Sequence, residues 1–287
     1  MTTQLYPLKN SPNKASNAIK IKIDCQERIT PTTPLTEDWL ELTRKIDHTS
    51  SDFKIYEGLL EKRNHIVAKI GPRKLDEEYA IGKRLEVLKL PTFITFHCIF
   101  KCLDDFSAMN NLTKQVCKKD GNQVTVLIMP FLSEGRIDTW KWTRENFNLM
   151  KNIMKHAIKT LFHAKNTLEF IHADTNLGNI LLKKTKRKTI SYGDFGDLEV
   201  FGLIPVFMDF ERSQFVDNNI VKFYRDIEKI ISLMSCETNV KYNGNRVLDI
   251  LSKFISDKTP ISNDICEIIC NEIDALQIRS VVSEDTF

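Results

Sequence analysis

Near its midpoint the chain changes hydrophobic period. From Asp38 to about Phe131 the apolar residues fall in short strand-like runs: WLELTRKI, FKIYEGLLE, HIVAKIG, TFITFHCIFKC and QVTVLIMPF. One helical stretch interrupts them, LDEEYAIGKRLEVLKL, where Ile81, Leu85 and Leu88 recur at helical spacing. After Asn146 the pattern becomes largely helical, and NFNLMKNIMKHAIKTLFHAKNTLEF sets Phe147, Met150, Met154, Ile158 and Leu161 on one stripe. A strand-rich part therefore precedes a helix-rich part, which predicts an α+β chain. At 287 residues and 42% hydrophobic content it can bury one large core or two small lobes sharing a cleft.

The expected division is a surface-draped or mobile segment at 1–36, rich in Thr, Pro, Lys and Asn, then lobes at 37–132 and 133–287. No internal repeat is visible. The 41 Lys and Arg against 38 Asp and Glu leave a net charge of +3, too balanced to argue for a nucleic-acid binder. The seven cysteines are odd in number and widely spaced, unlike a secreted disulfide framework, and predict a reducing compartment. Cys98 with Cys102 and Cys266 with Cys270 are spaced by four without histidines at zinc spacing, so buried thiols are expected. MTTQLYPLKN lacks the apolar core of a signal peptide, and VTVLIMPFL is too short to cross a bilayer. The expectation is a soluble cytoplasmic protein with no membrane and no nucleic-acid partner.

The chemistry concentrates in FIHADTNLGNILL, where His172, Asp174 and Asn179 stand in the order H-x-D-x-x-x-x-N between an amphipathic helix and a short apolar strand. Asp and Asn also cap turns after helices, which is the plainer reading of the pair. With these flanks the sequence resembles the protein-kinase superfamily, over roughly Asp38 to Met234. The resemblance implies a two-lobed protein-kinase-like fold: a small antiparallel-sheet N-lobe with one helix, then a mainly helical C-lobe. It also implies ATP and Mg2+ in the cleft between the lobes, with Asp174 as the catalytic residue accepting or orienting the proton of the attacking hydroxyl and Asn179 as a metal ligand.

Other positions acquire roles from the same resemblance. Val67-Ala68-Lys69 looks like the family's V-A-I-K, and KIYEG upstream resembles its V-Y-x-G strand, so Lys69 would meet the nucleotide phosphates. Without that context Lys69 reads as a solvated strand-edge residue. Glu78, seven residues before Leu85 on the helical stripe, is the carboxylate chosen to aim Lys69, with Glu77 as second choice. Met129 would guard the adenine pocket, and Pro130-Phe131-Leu132 would form the hinge, using the Pro130 carbonyl and the Leu132 N–H. A buried strand followed by a turn is the alternative. His172 is expected to tie the catalytic loop to the strand end near Asp209, though a packed core histidine fits equally.

Two aspartates compete for the metal. The family's metal-binding aspartate follows a buried strand, and Leu203 to Met208 before Asp209 is apolar, whereas Thr189 to Gly193 before Asp194 is not. Asp209 is therefore assigned to Mg2+, with GDFGD read as a hairpin turn in which Gly193 and Gly196 take unusual backbone angles.

The pattern also departs from the family. No glycine precedes Gly58, so the glycine-rich phosphate loop is missing; Ser50 and Ser51 are left to offer backbone N–H groups, and weak nucleotide binding is expected. Ala173 and Asn176 replace a common arginine and lysine, and only sixteen residues separate Asp209 from Asp226, which resembles the aspartate bracing the catalytic loop. The preferred expectation is an ATP-dependent serine/threonine protein kinase resembling the divergent kinases of large DNA viruses, acting on a protein substrate in host cytoplasm or virion. Two readings stay open beside it: a small-molecule kinase of aminoglycoside or choline kinase type, and a pseudokinase binding module.

Overall fold

The computed structural model describes residues 40–46, 53–60, 62–71, 75–104, 122–216, 219–236 and 245–277. Ser50, Ser51 and the segment 1–36 lie outside the described residues. The chain divides into two compact units, Met1–Lys83 with Thr95–Phe131, and Arg84–Ile94 with Leu132–Phe287.

In the first unit β1 (Leu40–Ile46), β2 (Lys54–Leu60), β3 (Asn64–Gly71), β4 (Cys98–Asp104) and β5 (Asn122–Pro130) form one antiparallel sheet in the order β1-β2-β3-β5-β4. Period-two alternation builds its core: Ile66, Ala68 and Ile70 of β3 pack with Val124, Val126 and Ile128 of β5, all at most 1% exposed. Gly58 is required by close approach, since a Cβ there would lie 2.4 Å from the Glu41 carbonyl oxygen of the neighbouring strand. The strand-like run at 92–102 becomes a strand only from Cys98. Phe93 instead bridges Phe207 in the second unit, and the Ile94 N–H bonds to the Phe207 carbonyl.

The helix α1 (Leu75–Leu85) carries Asp76, Glu77 and Glu78 in its first turn, where the helix dipole favours acids. It stops short of the sequence pattern: a 3-10 turn covers Glu86–Leu88, and Lys89 takes a left-handed φ of 54° that ends it.

The second unit is mainly helical. Its central helix α2 (Phe147–Leu168) buries the expected stripe of Phe147, Met150, Met154, Ile158 and Leu161. Around it lie β6 (Phe170–Ile171), β7 (Ile180–Lys184), β8 (Thr189–Ser191), β9 (Asp197–Glu199), β10 (Leu203–Phe207), β11 (Gln214–Phe215), α3 (Ile220–Cys236), α4 (Asn245–Ser256) and α5 (Asn263–Asp274). Three antiparallel pairs form, β7 with β10, β6 with β11 and β8 with β9. Ser262 caps α5, its hydroxyl accepting from the Ile265 N–H at 3.3 Å. Cys98, Cys266 and Cys270 are buried free thiols, as expected for those three. The chain is thus α+β, a five-stranded antiparallel sheet with one helix followed by a mainly helical unit.

Candidate active site

The sequence-predicted residues fall into two groups, one in each unit. In the sheet unit, Lys69 on β3 donates from Nζ to Glu78 Oε2 on α1 at 2.7 Å. Both side chains are at most 4% exposed, and the ammonium lies 4.6 Å from the centroid of the Phe53 ring. Glu77 is exposed, so helical phase alone decides which acid turns inward. A buried ion pair gives little net stability over well-packed apolar residues, so a fold has no need of one at this place. Met129, 2% exposed, stands opposite Val67, and Pro130 closes β5 opposite Ile66. The Phe131 N–H then bonds to the His65 carbonyl at 3.1 Å, and the chain enters the second unit at Leu132.

In the second unit the antiparallel ladder of β7 and β10 determines the second group. Ile180 pairs with Phe207, so the residue before β7 and those after β10 must meet. Asn179 and Met208 are those neighbours, joined by a 3.0 Å bond from the Met208 N–H to the Asn179 carbonyl. Asp209 follows directly, with φ 62° and ψ 70°, a left-handed conformation that Asp tolerates better than most residues. Phe210 beyond it is fully buried, within 6.2 Å of the rings of Phe93, Phe170 and His172.

Asp174 comes from the loop between β6 and β7. Asn179 Nδ2 donates to its carbonyl at 3.0 Å, which leaves the amide oxygen of Asn179 as the atom for a cation. Ala173 beside it has φ 65°, a costly conformation for alanine. Asp226 of α3, 2% exposed, holds it there: its Oδ2 accepts from the Ala173 N–H at 2.7 Å, and its Oδ1 lies 3.0 Å from Thr175 Oγ1. His172, fully buried, donates from Nε2 to the Met208 carbonyl at 3.0 Å, and Ser213 Oγ donates to the His172 carbonyl at 2.9 Å. Burial holds the His172 ring below the usual histidine range against the opposing charges of Asp226, Asp209 and Asp174, so the ring is neutral with its proton on Nε2. Asp174, Asn179 and Asp209 thus share one hydrogen-bonded frame.

Asp194 lies elsewhere in the unit. It is exposed on the turn between β8 and β9, with Gly193 at φ 59° and Gly196 at φ 72°. The turn packs by its phenylalanine: Phe195 meets Phe162 of α2 edge-on at 5.7 Å, and the Lys159 ammonium donates to the Phe195 carbonyl. One turn of α2 earlier, His156 donates from Nε2 to the Glu199 carbonyl at 3.0 Å and accepts from the Tyr192 hydroxyl at 2.7 Å. Burial presses the His156 ring down to about 4.

Sequence reasoning missed three contributors. Phe53 lies against the Lys69 ammonium, Thr175 ties the loop to Asp226, and Arg212 brings Nε to 3.9 Å from Asp174 Oδ2. No spacing rule marks them, because each acts from a turn or strand end placed by tertiary structure. Among the described residues no cluster of three His, Cys, Asp or Glu could hold a metal, and no helix is long and apolar enough to cross a membrane.

Comparison with known proteins gives one family likeness and one structural likeness. Residues 102–203 match the ABC1 atypical kinase-like domain, a span of about a third of the chain that includes Asp174 and Asn179 and ends before Asp209. Among solved structures the chain is similar to the BubR1 kinase domain, at 12% identity and a TM-score of 0.48, covering 87% of this chain and 89% of that one. No curated protein matches it.

Proposed function

We propose that the chain is an ATP-dependent phosphotransferase that moves the terminal phosphoryl group of ATP to a hydroxyl, on serine or threonine of a protein substrate, as a divergent kinase resembling those of large DNA viruses. A host cytoplasm or virion setting belongs to the same proposal. The observation that carries it is the shared frame of Asp174, Asn179 and Asp209, built on two strained backbone positions at Ala173 and Asp209. Strain of this kind concentrates where geometry serves chemistry rather than stability. The buried Lys69–Glu78 pair and the ABC1-like span support the same reading.

Asp174 orients the acceptor hydroxyl and takes its proton as the hydroxyl oxygen bonds to the terminal phosphorus and the bond to the bridging oxygen breaks. Lys69, aimed by Glu78, would bind phosphate oxygens as a fixed charge that needs no rearrangement during the reaction. Asp209 and the amide oxygen of Asn179 would hold Mg2+, whose preference for one or two carboxylates, hard oxygens and substrate phosphates fits this donor set without a cage of protein ligands. When bound, Mg2+ neutralises phosphate charge. Met129, Pro130 and Leu132 would receive the adenine.

A small-molecule acceptor is the second reading, favoured by the sixteen residues between Asp209 and Asp226, too few for a long peptide platform. Incubation with γ-labelled ATP and Mg2+, beside a generic basic protein or a panel of aminoglycosides and amino alcohols, separates the two. Label in the protein supports the first reading and label in a small alcohol the second. No label and no ATP turnover leaves a binding module without chemistry.

A further inference from the structure

Resting on the phosphotransferase reading, we propose that Arg212 is the charge-neutralising residue of the transfer step, reaching past Asp174 to the oxygens of the phosphoryl group in transit. Arg212 ends the 3-10 turn Phe210–Arg212. That turn is fixed on both sides: Phe210 is fully buried, and Ser213 bonds from its N–H to the Phe210 carbonyl at 3.0 Å and from Oγ to the His172 carbonyl at 2.9 Å. The base of the arginine is thus held, while its side chain remains 73% exposed. Among the described residues it is the one cation within ion-pair distance of Asp174, at 3.9 Å through Nε. The two terminal nitrogens of a guanidinium in that pose keep their donors for another partner.

Stability does not explain the residue, because an exposed pair at this distance contributes little to a fold. Chemistry does. The group in transit spreads negative charge over three oxygens while the acceptor oxygen bonds to phosphorus, ADP departs with the electron pair of the broken bond, and the hydroxyl proton passes to Asp174. A donor array beside that carboxylate is where charge develops. The catalytic loop supplies no cation of its own there: Asn176, two residues after Asp174, is uncharged and lies 3.3 Å from Asp174 Oδ1 through Nδ2. The positive charge reaches the site from the turn after β10 instead.

The test compares wild type, Arg212→Ala, Arg212→Lys and the double variant Arg212→Ala with Asn176→Lys in the full chain. Each is assayed with γ-labelled ATP, Mg2+ and the acceptor that wild type labels, or water if it labels none. Arg212→Ala is expected to lower kcat about 10- to 100-fold with the KM for ATP within about twofold. Its melting temperature should match wild type. Arg212→Lys should recover part of the rate, and Asn176→Lys should restore at least about tenfold to Arg212→Ala by returning a cation from the loop side. An unchanged kcat in Arg212→Ala overturns the inference alone, as does a raised one, which would make the arginine a restraint on Asp174. A wild-type chain that turns over no ATP overturns the phosphotransferase reading and this inference with it.

Discussion

GDFG and MDFE each set an aspartate before a phenylalanine, and the chain uses the two pairs in opposite ways. At Gly193–Gly196 the phenylalanine is packed and the aspartate is not: Phe195 is 2% exposed against α2, while Asp194 faces solvent. At Met208–Glu211 both are held in place, for Phe210 is fully buried and Asp209 sits half-buried beside Asn179 in a left-handed conformation. The difference lies in what precedes each pair. β10 is buried along its whole length and pairs with β7, so it delivers Asp209 to the end of a rigid ladder. β8 is three residues long with only Ile190 buried, and it delivers a hairpin turn. Local letters are the same; the strand that carries them decides where each aspartate is placed.

Removing each phenylalanine would sharpen this contrast most strongly. Phe210→Ala and Phe195→Ala should each cost about 3–5 kcal/mol in urea unfolding, as large-to-small changes at sealed sites do. Protein of either variant that remains folded at low temperature should differ in activity: impaired for Phe210→Ala, near wild type for Phe195→Ala. Equal impairment would place the GDFG hairpin in the reacting site.

Acid should loosen the GDFG side through His156. The unfolded ring binds a proton near 6.5, whereas the folded ring, buried against Tyr192 and Glu199, does not until about 4. Stability is therefore complete above pH 6.5 and falls as pH drops toward 4, by up to about 3 kcal/mol from this group. Urea titrations across that range should show the slope in wild type and a flatter one in His156→Gln. An unchanged slope would show that His156 does not carry it.

Ser213→Ala tests the other side on a smaller scale. Loss of the bond to the His172 carbonyl should cost about 1 kcal/mol, and on the proposed reading it should reduce kcat because the MDFE turn loses a tie to the loop that carries Asp174. An unchanged kcat would mean that Phe210 alone fixes the turn. Asp194→Ala should move stability by no more than about 0.5 kcal/mol, as for an exposed residue on a surface turn.

Much of this was legible in the chain. The change from strand to helical period fixes the α+β order, the α2 stripe is buried as read, and the buried run before Asp209 separates it from Asp194. Glu78 over Glu77 followed from helical phase. Other features depend on tertiary partners that no local pattern encodes. The run at 93–97 looks like strand, but Phe93 and Ile94 pair with Phe207 of β10, over a hundred residues away in sequence. Thr175 and Arg212 likewise gain meaning only when α3 and the turn after β10 approach the loop. The positive φ at Ala173 is invisible to propensity, which would place glycine or asparagine there.

The most direct measurement is the rate of ATP-dependent phosphoryl transfer in Asp209→Ala and Asp194→Ala, side by side, with melting temperatures to show that both are folded. Loss of at least about a thousandfold in Asp209→Ala with Asp194→Ala within about twofold of wild type is the result expected of a metal-binding carboxylate and a surface one. Full activity in Asp209→Ala with loss in Asp194→Ala would contradict it.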